Sequence, residues 1–292
     1  MYLCVNEGYI FELDWLKYLL PEDTLYITRE EKRNKYPDTP CIFIVSYWCG
    51  FREENNLDNI KHNFGIIYLS EEILSDRIEF LFENEFCKFI WRNYIHPHHV
   101  FNPKITHFPC AYKIGFTQYI NIKNNNKKYT WSFAGAIHGE DRALPLRIFA
   151  LNFDNYKIHA TPPNTFDSEE GLSTENYVKL IQESKYIICP PGKIIIECSR
   201  LYEALEAGAI PIVLSNTSKH LIYNPSYYYY VFPKNLGEFP FIMVDNWEEA
   251  ISIVNDIEEN NKYEQKLDSC KIYWENCKTY WRDQIKTHLS LL

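Results

Sequence analysis

The sequence predicts an α/β fold built on parallel sheets, and three observations carry that prediction. The first is the stretch Tyr186–Leu214, YIICPPGKIIIECSRLYEALEAGAIPIVL. It opens with an apolar run, Tyr186 to Cys189, of the length and β-rich composition of a buried strand. Pro190, Pro191 and Gly192 stop that run. Ser199 then stands as an N-cap, with Leu201, Tyr202, Leu205 and Ala209 at helical spacing and Gly208 placed to end the helix. A second apolar strand, Ile210 to Leu214, follows at once. Strand, loop, helix, turn, strand is a βαβ unit, and such units make a parallel sheet whose strand C-termini and helix N-termini face one crevice. The second observation is that strand-like runs alternate with helical patches along the rest of the chain. The third is size: 292 residues, 46% of them apolar, suffice for a substantial core, in two domains of ordinary size or one large one.

Charge and composition narrow the function classes. A net charge of −9 argues against a protein that grips nucleic acid by neutralising phosphates over a broad face. A local cluster of cations can still hold a small anion. The 23 Tyr and 18 Phe are mostly core material, and those at the surface could stack on sugars or bases. Nine cysteines without a C-x-x-C pair suggest neither a disulfide framework nor a zinc ribbon, and read as buried thiols. There is no basic segment leading into an apolar run and no stretch of transmembrane length, so the chain reads as soluble and cytosolic, with no membrane anchor. Asn216-Thr217-Ser218 matches the N-glycosylation triplet, a pattern common by chance.

Taken in order, Thr24–Thr28 and Cys41–Tyr47 read as strands flanking a polar Arg29–Asp38 loop, and Gly65–Leu69 as another strand. Ser70-Glu71-Glu72 then opens an acidic helical patch running to Glu85, which puts Glu71 and Glu72 at the tip of a parallel strand, where open α/β sheets place working residues. Equally, two glutamates at a helix start complement its dipole. Cys87–Trp91 resumes the apolar pattern. In Ile95-His96-Pro97-His98-His99, Pro97 breaks the i, i+4 spacing of paired metal ligands, so these histidines read as a solvated or acceptor-lining loop. Asn121–Lys128, polar and low in complexity, is the best linker.

The second half starts with Tyr129–Gly135, a strand ending in glycine, then a loop Ala136–Asp141 and a helix Arg142–Leu151. Gly135 lets the backbone come close to a ligand, and Arg142 in the first turn could reach a phosphate. Tyr156–Ala160 is the next strand, and Ser173 or Thr174 caps a helix carrying Tyr177, Val178, Leu180 and Ile181. Around the central loop, Lys193 and Arg200 lie next to Glu197 and Glu203, cations that could hold phosphate beside carboxylates that could hold sugar hydroxyls. The helix start at Ser199 adds N–H groups and a positive dipole end. A nucleotide-sugar diphosphate suits this place, although Arg200 and Glu203 could also be a surface helix pair. Tyr227–Phe232 reads as a strand covered on both faces, Trp247–Ile257 as an amphipathic helix, and Asn261–Leu292 as helical.

S-R-L-Y-E-A-L-E-A-G-A-I-P-I-V-L after a C-P-P-G loop resembles the signature of the exostosin-like glycosyltransferases. I-I-Y-L-S-E-E up to Glu72 with Arg92-Asn93-Tyr94, and Y-T-W-S-F-A-G up to Gly135 with Asp141-Arg142, resemble the same family. Phe108–Phe116 is similar to its segment leading out of the first domain. The branch resembled includes eukaryotic ribitol xylosyltransferases and xylosyltransferases of large algal DNA viruses, and the first forty or so residues match it least. The resemblance implies a GT-B architecture, two Rossmann-like α/β domains facing each other across a cleft: 1–122 binding acceptor and joined by a C-terminal helix 271–292, and 129–270 binding nucleotide-sugar. It also implies a metal-independent, inverting transfer from a UDP-sugar, by the branch UDP-xylose, to a hydroxyl of a glycan such as a protein N-glycan, with no cofactor beyond the donor.

The sequence itself contains no Asp-x-Asp triplet to hold a metal against the diphosphate. The leaving group is then left to Arg142, Arg200, Lys193, the Pro191 loop and the Ser199 helix start, with Glu203 on the ribose hydroxyls. The general base is expected at Glu72 or Glu71, with Asp76, His62 and His138 as alternatives. Alternatives of function are a non-catalytic sugar or nucleotide binder, a phosphorylase or epimerase of this architecture, and transferases using UDP-glucose, UDP-galactose or UDP-glucuronate. The lack of an anchor suits either a virus-encoded protein in the cytoplasm of an infected cell or a trimmed Golgi-lumenal catalytic domain.

Overall fold

A computed structural model describes residues 3–6, 11–28, 38–46, 57, 60–69, 72–74, 78–121, 126–162, 170–192, 194–216 and 227–292. The chain divides into two units: Met1–Cys110 with Tyr230–Pro233 and Lys278–Leu292, and Ala111–Tyr229 with Lys234–Cys277.

Unit 1 holds a parallel sheet of six strands: β1 (Leu3–Asn6), β2 (Leu25–Thr28), β3 (Cys41–Ser46), β4 (Phe64–Leu69), β5 (Cys87–Arg92) and β6 (Ile105–His107), in the order β2-β1-β3-β4-β5-β6. All six residues of β4 are buried, the pattern of an inner strand covered on both faces. Strand β1 and helix α1 (Leu13–Leu19) add to the elements expected from the sequence. In α1, Trp15, Leu16 and Leu19 are buried, and the Trp15 indole donates to the Pro109 carbonyl at 3.2 Å.

The acidic patch after β4 departs from expectation. Among the described residues of that stretch, Glu72–Leu74 is a turn with Leu74 at φ 56°, and the helix, α2, spans Phe80–Glu83. Its end is fixed by Asn84, whose Oδ1 accepts from the Phe86 and Cys87 amides at 2.8 and 3.3 Å, an Asx turn that competes with helix.

Unit 2 holds five parallel strands in the order β11-β10-β9-β7-β8. The chain runs β7 (Tyr129–Ala136), α3 (Glu140–Asn152), β8 (Tyr156–Thr161), α4 (Thr174–Gln182), β9 (Ser184–Ile188), α5 (Ser199–Ala207) and β10 (Ile210–Leu214). It continues through a short helix α6 (Tyr228–Val231), then β11 (Ile242–Val244), α7 (Trp247–Glu259) and α8 (Tyr263–Leu289). The caps follow local chemistry: Ser173 accepts from the Asn176 amide at the start of α4, Asn246 from the Glu249 amide at the start of α7, and Gly208 ends α5 in the left-handed conformation at φ 78°.

The tyrosine run is helical, not the expected strand. Tyr227 and Tyr228 are buried, Tyr229 is exposed, and Val231 and Phe232 are buried again, a spacing of three to four that a strand cannot present. Helix α8 packs Trp274 on Tyr202 within unit 2, at 5.7 Å between ring centroids. Its last turns belong to unit 1, where Trp281 meets Trp91 edge-on and His288 Nδ1 accepts from the Trp91 indole at 2.6 Å.

Candidate functional site

In a doubly wound parallel sheet the ligand crevice lies at the C-terminal edge, where the strand order reverses direction. In unit 2 the chain leaves β7 for β8 on one side and reaches β9 on the other, so the reversal falls between β7 and β9. Gly135 and Ala136 end β7, Arg142 lies in the first turn of α3, Pro191 follows β9, and Arg200 is in the first turn of α5. Residues singled out in the sequence from three separate segments therefore share one edge.

Both arginines are held by backbone carbonyls. Arg142 donates through Nε to the Pro191 carbonyl at 3.0 Å and through Nη1 to Ala136 at 2.9 Å, tying the β9 exit to the β7 exit. Arg200 donates through Nε and Nη2 to the Ala134 carbonyl at 3.2 and 3.0 Å and lies over the Phe133 ring, 4.6 Å from its centroid. Among the described residues no ion pair engages Arg200, so its hydrogen bonds to a neutral carbonyl leave the cationic charge uncompensated by a carboxylate contact. Gly135 makes this possible. Its φ is 137°, and a Cβ there would stand 2.6 Å from Arg200 Nη2. The glycine thus makes room for the guanidinium, where the sequence suggests room for a ligand.

Glu203 is buried, 3% exposed, and accepts from the Tyr177 hydroxyl at 2.6 Å. It is no surface partner of Arg200. Burial pushes its carboxyl up to about 7, against the opposing pull of the Tyr177 hydrogen bond and of Arg200. Two expectations need correction. Glu197 accepts hydrogen bonds from the hydroxyls of Tyr202 and Tyr227 in the core, so its carboxylate is committed to packing. Ser199 is the first helical residue of α5, and the N-cap is Cys198, whose backbone is extended at φ −143°, ψ 148°. The helix start remains at the crevice, shifted by one residue. Lys193 lies outside the described residues.

On unit 1 the strand order reverses between β1 and β3. Glu72 stands half-buried in the turn after β4, one strand away from that point; Glu71 and Asp76 lie outside the described residues. His62 cannot serve at this edge. It precedes β4 and its Nε2 is 3.9 Å from the sulfur of Cys41, the first residue of β3, which places it at the opposite, N-terminal edge of the sheet. His138 sits in the loop after β7 of unit 2.

A carboxylate not singled out from the sequence lies nearer the reversal. Glu12, 2% exposed, ends the segment that leads from β1 into α1, and its Oε1 accepts from Asn93 Nδ2 at 2.6 Å. Asn93 comes from the Arg92-Asn93-Tyr94 segment at the end of β5, where Tyr94 takes φ 55° and its carbonyl accepts from Arg92 Nε at 2.9 Å. A signal for Glu12 was available: an acidic residue between a strand and the Trp15, Leu16, Leu19 helix pattern.

The histidine run is a packing cluster. His96 and His99 stack at 4.0 Å, His99 lies 3.3 Å from Arg92 Nη1 and 3.2 Å from Glu79, and His96 Nε2 is 3.2 Å from the Leu74 carbonyl. Among the described residues, no group of three or more His, Cys, Asp or Glu side chains is placed to hold a metal ion. Nor is any described helix long and apolar enough to cross a membrane.

Two parallel α/β units of this kind make the GT-B fold of glycosyltransferases. An α1,3-fucosyltransferase with GDP overlays with a TM-score of 0.51 at 13% identity, covering 99% of this chain and 90% of that one. A DNA-modifying β-glucosyltransferase does so at 0.52 and 15%, covering 99% and 100%. Anabaena Alr3699/HepE in complex with UDP gives 0.50 and 10%, with both chains covered in full (100%).

The chain belongs to the family of the RXYLT1 C-terminal domain, whose model matches residues 112–289. Human ribitol-5-phosphate xylosyltransferase 1 is 25% identical over 181 residues, 59% of this chain and 38% of that protein. The mouse protein of the same name is 30% identical over 125 residues, 42% and 26%. The matches thus span well under half the length of these curated relatives. The family match begins at Tyr112, next to Ala111, the first residue of unit 2.

Proposed function

We propose that the chain is a glycosyltransferase that moves a sugar, xylose by the names of its relatives, from a UDP-sugar to an acceptor hydroxyl. The observation that carries this reading is the convergence of Arg142, Arg200 and the start of α5 on the β7/β9 reversal point. In such a transfer the acceptor oxygen attacks the anomeric carbon, the bond from that carbon to the β-phosphate oxygen breaks, and negative charge grows on the departing diphosphate. Arg142, Arg200 and the N–H groups at Ser199 stabilise that charge without a metal, with Pro191 and Lys193 from the connecting loop. Glu203 takes the ribose hydroxyls, Tyr177 fixing its orientation. A single displacement inverts the anomeric configuration and needs one base. We assign the base to Glu72, in the turn after β4, or to its sequence neighbour Glu71, and add Glu12.

The test is a thermal-shift and donor-hydrolysis screen of the purified chain against UDP, UDP-xylose, UDP-glucose, UDP-galactose and UDP-glucuronate, each with and without EDTA. A ligand at a hundred times its Kd stabilises by about 2.7 kcal/mol. Stabilisation by UDP and one UDP-sugar, unchanged by EDTA and lost in Arg200→Ala, is the expected result. No response to any nucleotide, or the same response in Arg200→Ala, overturns the donor site. A response that EDTA removes overturns metal independence alone.

A further inference from the structure

In unit 1 two non-glycine residues take left-handed backbone just beyond neighbouring strands: Leu74, in the turn after β4, at φ 56°, and Tyr94, after β5, at φ 55°. Such backbone is strained and persists only where its surroundings hold it. Here the holders belong to one cluster. Arg92 Nε donates to the Tyr94 carbonyl at 2.9 Å, and His96 Nε2 lies 3.2 Å from the Leu74 carbonyl. Both held segments bear on the carboxylates assigned as the base. Glu72 shares the turn with Leu74, and Asn93, between Arg92 and Tyr94, donates to Glu12 Oε1 at 2.6 Å.

The hydrogen bonds fix where the imidazole protons lie. A guanidinium only donates, so His99 Nδ1, 3.3 Å from Arg92 Nη1, accepts and carries no proton. The proton of the neutral ring is then on Nε2, facing Glu79 Oε1 at 3.2 Å. His96 Nδ1 accepts from the His98 amide at 3.2 Å, so Nε2 carries the proton and donates to the Leu74 carbonyl. The two rings stack at 4.0 Å and 18°, and the His98 ring lies 5.4 Å from that of His96. His107, in register beside Arg92 on β6, is a third buried imidazole with no partner on either nitrogen. Burial and the charges of Arg92 and His99 push it down to about 3. The groups facing the stacked pair are therefore Arg92 from β5, whose guanidinium lies over the Tyr68 ring of β4, His107 from β6, His98, and one carboxylate, Glu79 ahead of α2.

A proton added to either Nδ1 sets N–H against N–H, and on His99 it also puts a cation against the fully buried Arg92. Glu79 favours a charged His99, but its side chain is 57% exposed and solvent weakens its pull. The latched cluster thus binds fewer protons than an opened one, so its stability is present at neutral pH and is lost as pH falls. We propose that Arg92, His96 and His99 are positioning residues for the base carboxylates of unit 1, holding the Glu72 turn and the Asn93 segment only while both imidazoles are neutral, so that acid unlatches them. The effect on turnover rests on the transferase reading above; the latch itself is a property of unit 1.

Amide hydrogen exchange of the full chain, corrected for the intrinsic rate, compares pH 7.5 with pH 5.5. Peptides carrying Leu74 and Tyr94 are expected to open at least about tenfold more readily at pH 5.5, the change that one proton taken up on opening brings per pH unit. Strand β7 of unit 2 is expected to keep its protection. His96→Gln keeps a donor for the Leu74 carbonyl, His99→Asn keeps an acceptor for Arg92, and neither new side chain titrates. In the double variant the acid opening is expected to disappear, and UDP-xylose hydrolysis to persist to lower pH than in the wild type, whose kcat falls with the donor KM unchanged. Equal protection of the wild type at both pH values, or acid opening retained in the double variant, overturns the latch. Acid opening with kcat unchanged overturns the positioning role. Should the double variant prove unfolded by circular dichroism, ¹⁵N imidazole shifts of the wild type at pH 7.5 decide: a proton on Nδ1 of His96 or His99 refutes the neutral latch. Absence of hydrolysis at every pH counts against the transferase reading, while exchange still tests the latch.

Discussion

Replacing Gly135 by alanine should displace Arg200, and the structure gives the size of the effect. At φ 137° a side chain brings backbone strain of about 1–3 kcal/mol. The new Cβ would also lie 2.6 Å from Arg200 Nη2, and a flexible guanidinium yields before a strand does. Moving it gives up the bonds to the Ala134 carbonyl and the face of Phe133, together about 2 kcal/mol after exchange with water. Gly135→Ala should therefore cost about 3–5 kcal/mol, and Arg200→Ala about 2 kcal/mol.

The double variant should cost no more than Gly135→Ala alone, because both substitutions break the same hydrogen bonds to Ala134 and the same cation–π stacking on Phe133. The cycle thus carries a coupling of about 2 kcal/mol, well above the roughly 0.3–0.5 kcal/mol within which independent sites add. Urea unfolding of the four proteins, followed by circular dichroism, measures it without any ligand. If the two single costs simply add, Gly135 does not make room for Arg200, and the reason offered for a glycine at this strand end is wrong. The UDP-induced thermal shift should vanish in both single variants.

Three other expectations follow from named residues. Because Glu203 is raised from 4.5 to about 7 in the fold, it binds a proton that the unfolded chain releases; its stabilising share is complete below pH 4.5 and disappears as pH rises through 7. Wild type minus Glu203→Gln stability should fall by on the order of 3 kcal/mol across that window, and a flat difference would refute the buried, protonated carboxyl. Ser199→Ala should cost less than about 0.5 kcal/mol, since Ser199 is not the N-cap; a loss of about 1 kcal/mol or more would restore it to that role. Among the carboxylates of unit 1, replacement of the base by glutamine should slow UDP-sugar turnover by about 10²–10⁴-fold and leave the UDP thermal shift untouched. Glu12→Gln and Glu72→Gln, assayed side by side, decide between them, and wild-type turnover in both leaves Glu71 to be tested.

What could be read in the sequence was what local pattern determines. The strands on either side of α5, the Ser173 cap and the Gly208 stop all depend on a few neighbouring residues, and each lies where the pattern puts it. Arg142 and Arg200 were legible too, because a parallel sheet brings the first turns of its connecting helices, α3 and α5 among them, to one edge. What escaped was set by contacts distant in the chain. Glu197 looks like a loop carboxylate until Tyr227, thirty residues on, is folded against it. Four tyrosines in a row fit a strand by propensity, yet which of them are buried is decided by the core they enter, and that core spaces them as a helix.

Glu12 escaped for the same reason. Its claim rests on Asn93, reached only when β5 is laid beside β4, β3 and β1, and on a strand order that no local window encodes. Gly135 is the middle case. A glycine at that strand end does mark a place of close approach, but the group that approaches comes from the chain's own α5. The candidate donor site is in that sense already occupied on one side by the protein's own cation, fixed in place before any nucleotide arrives, which is the preorganisation that stabilising a departing diphosphate requires.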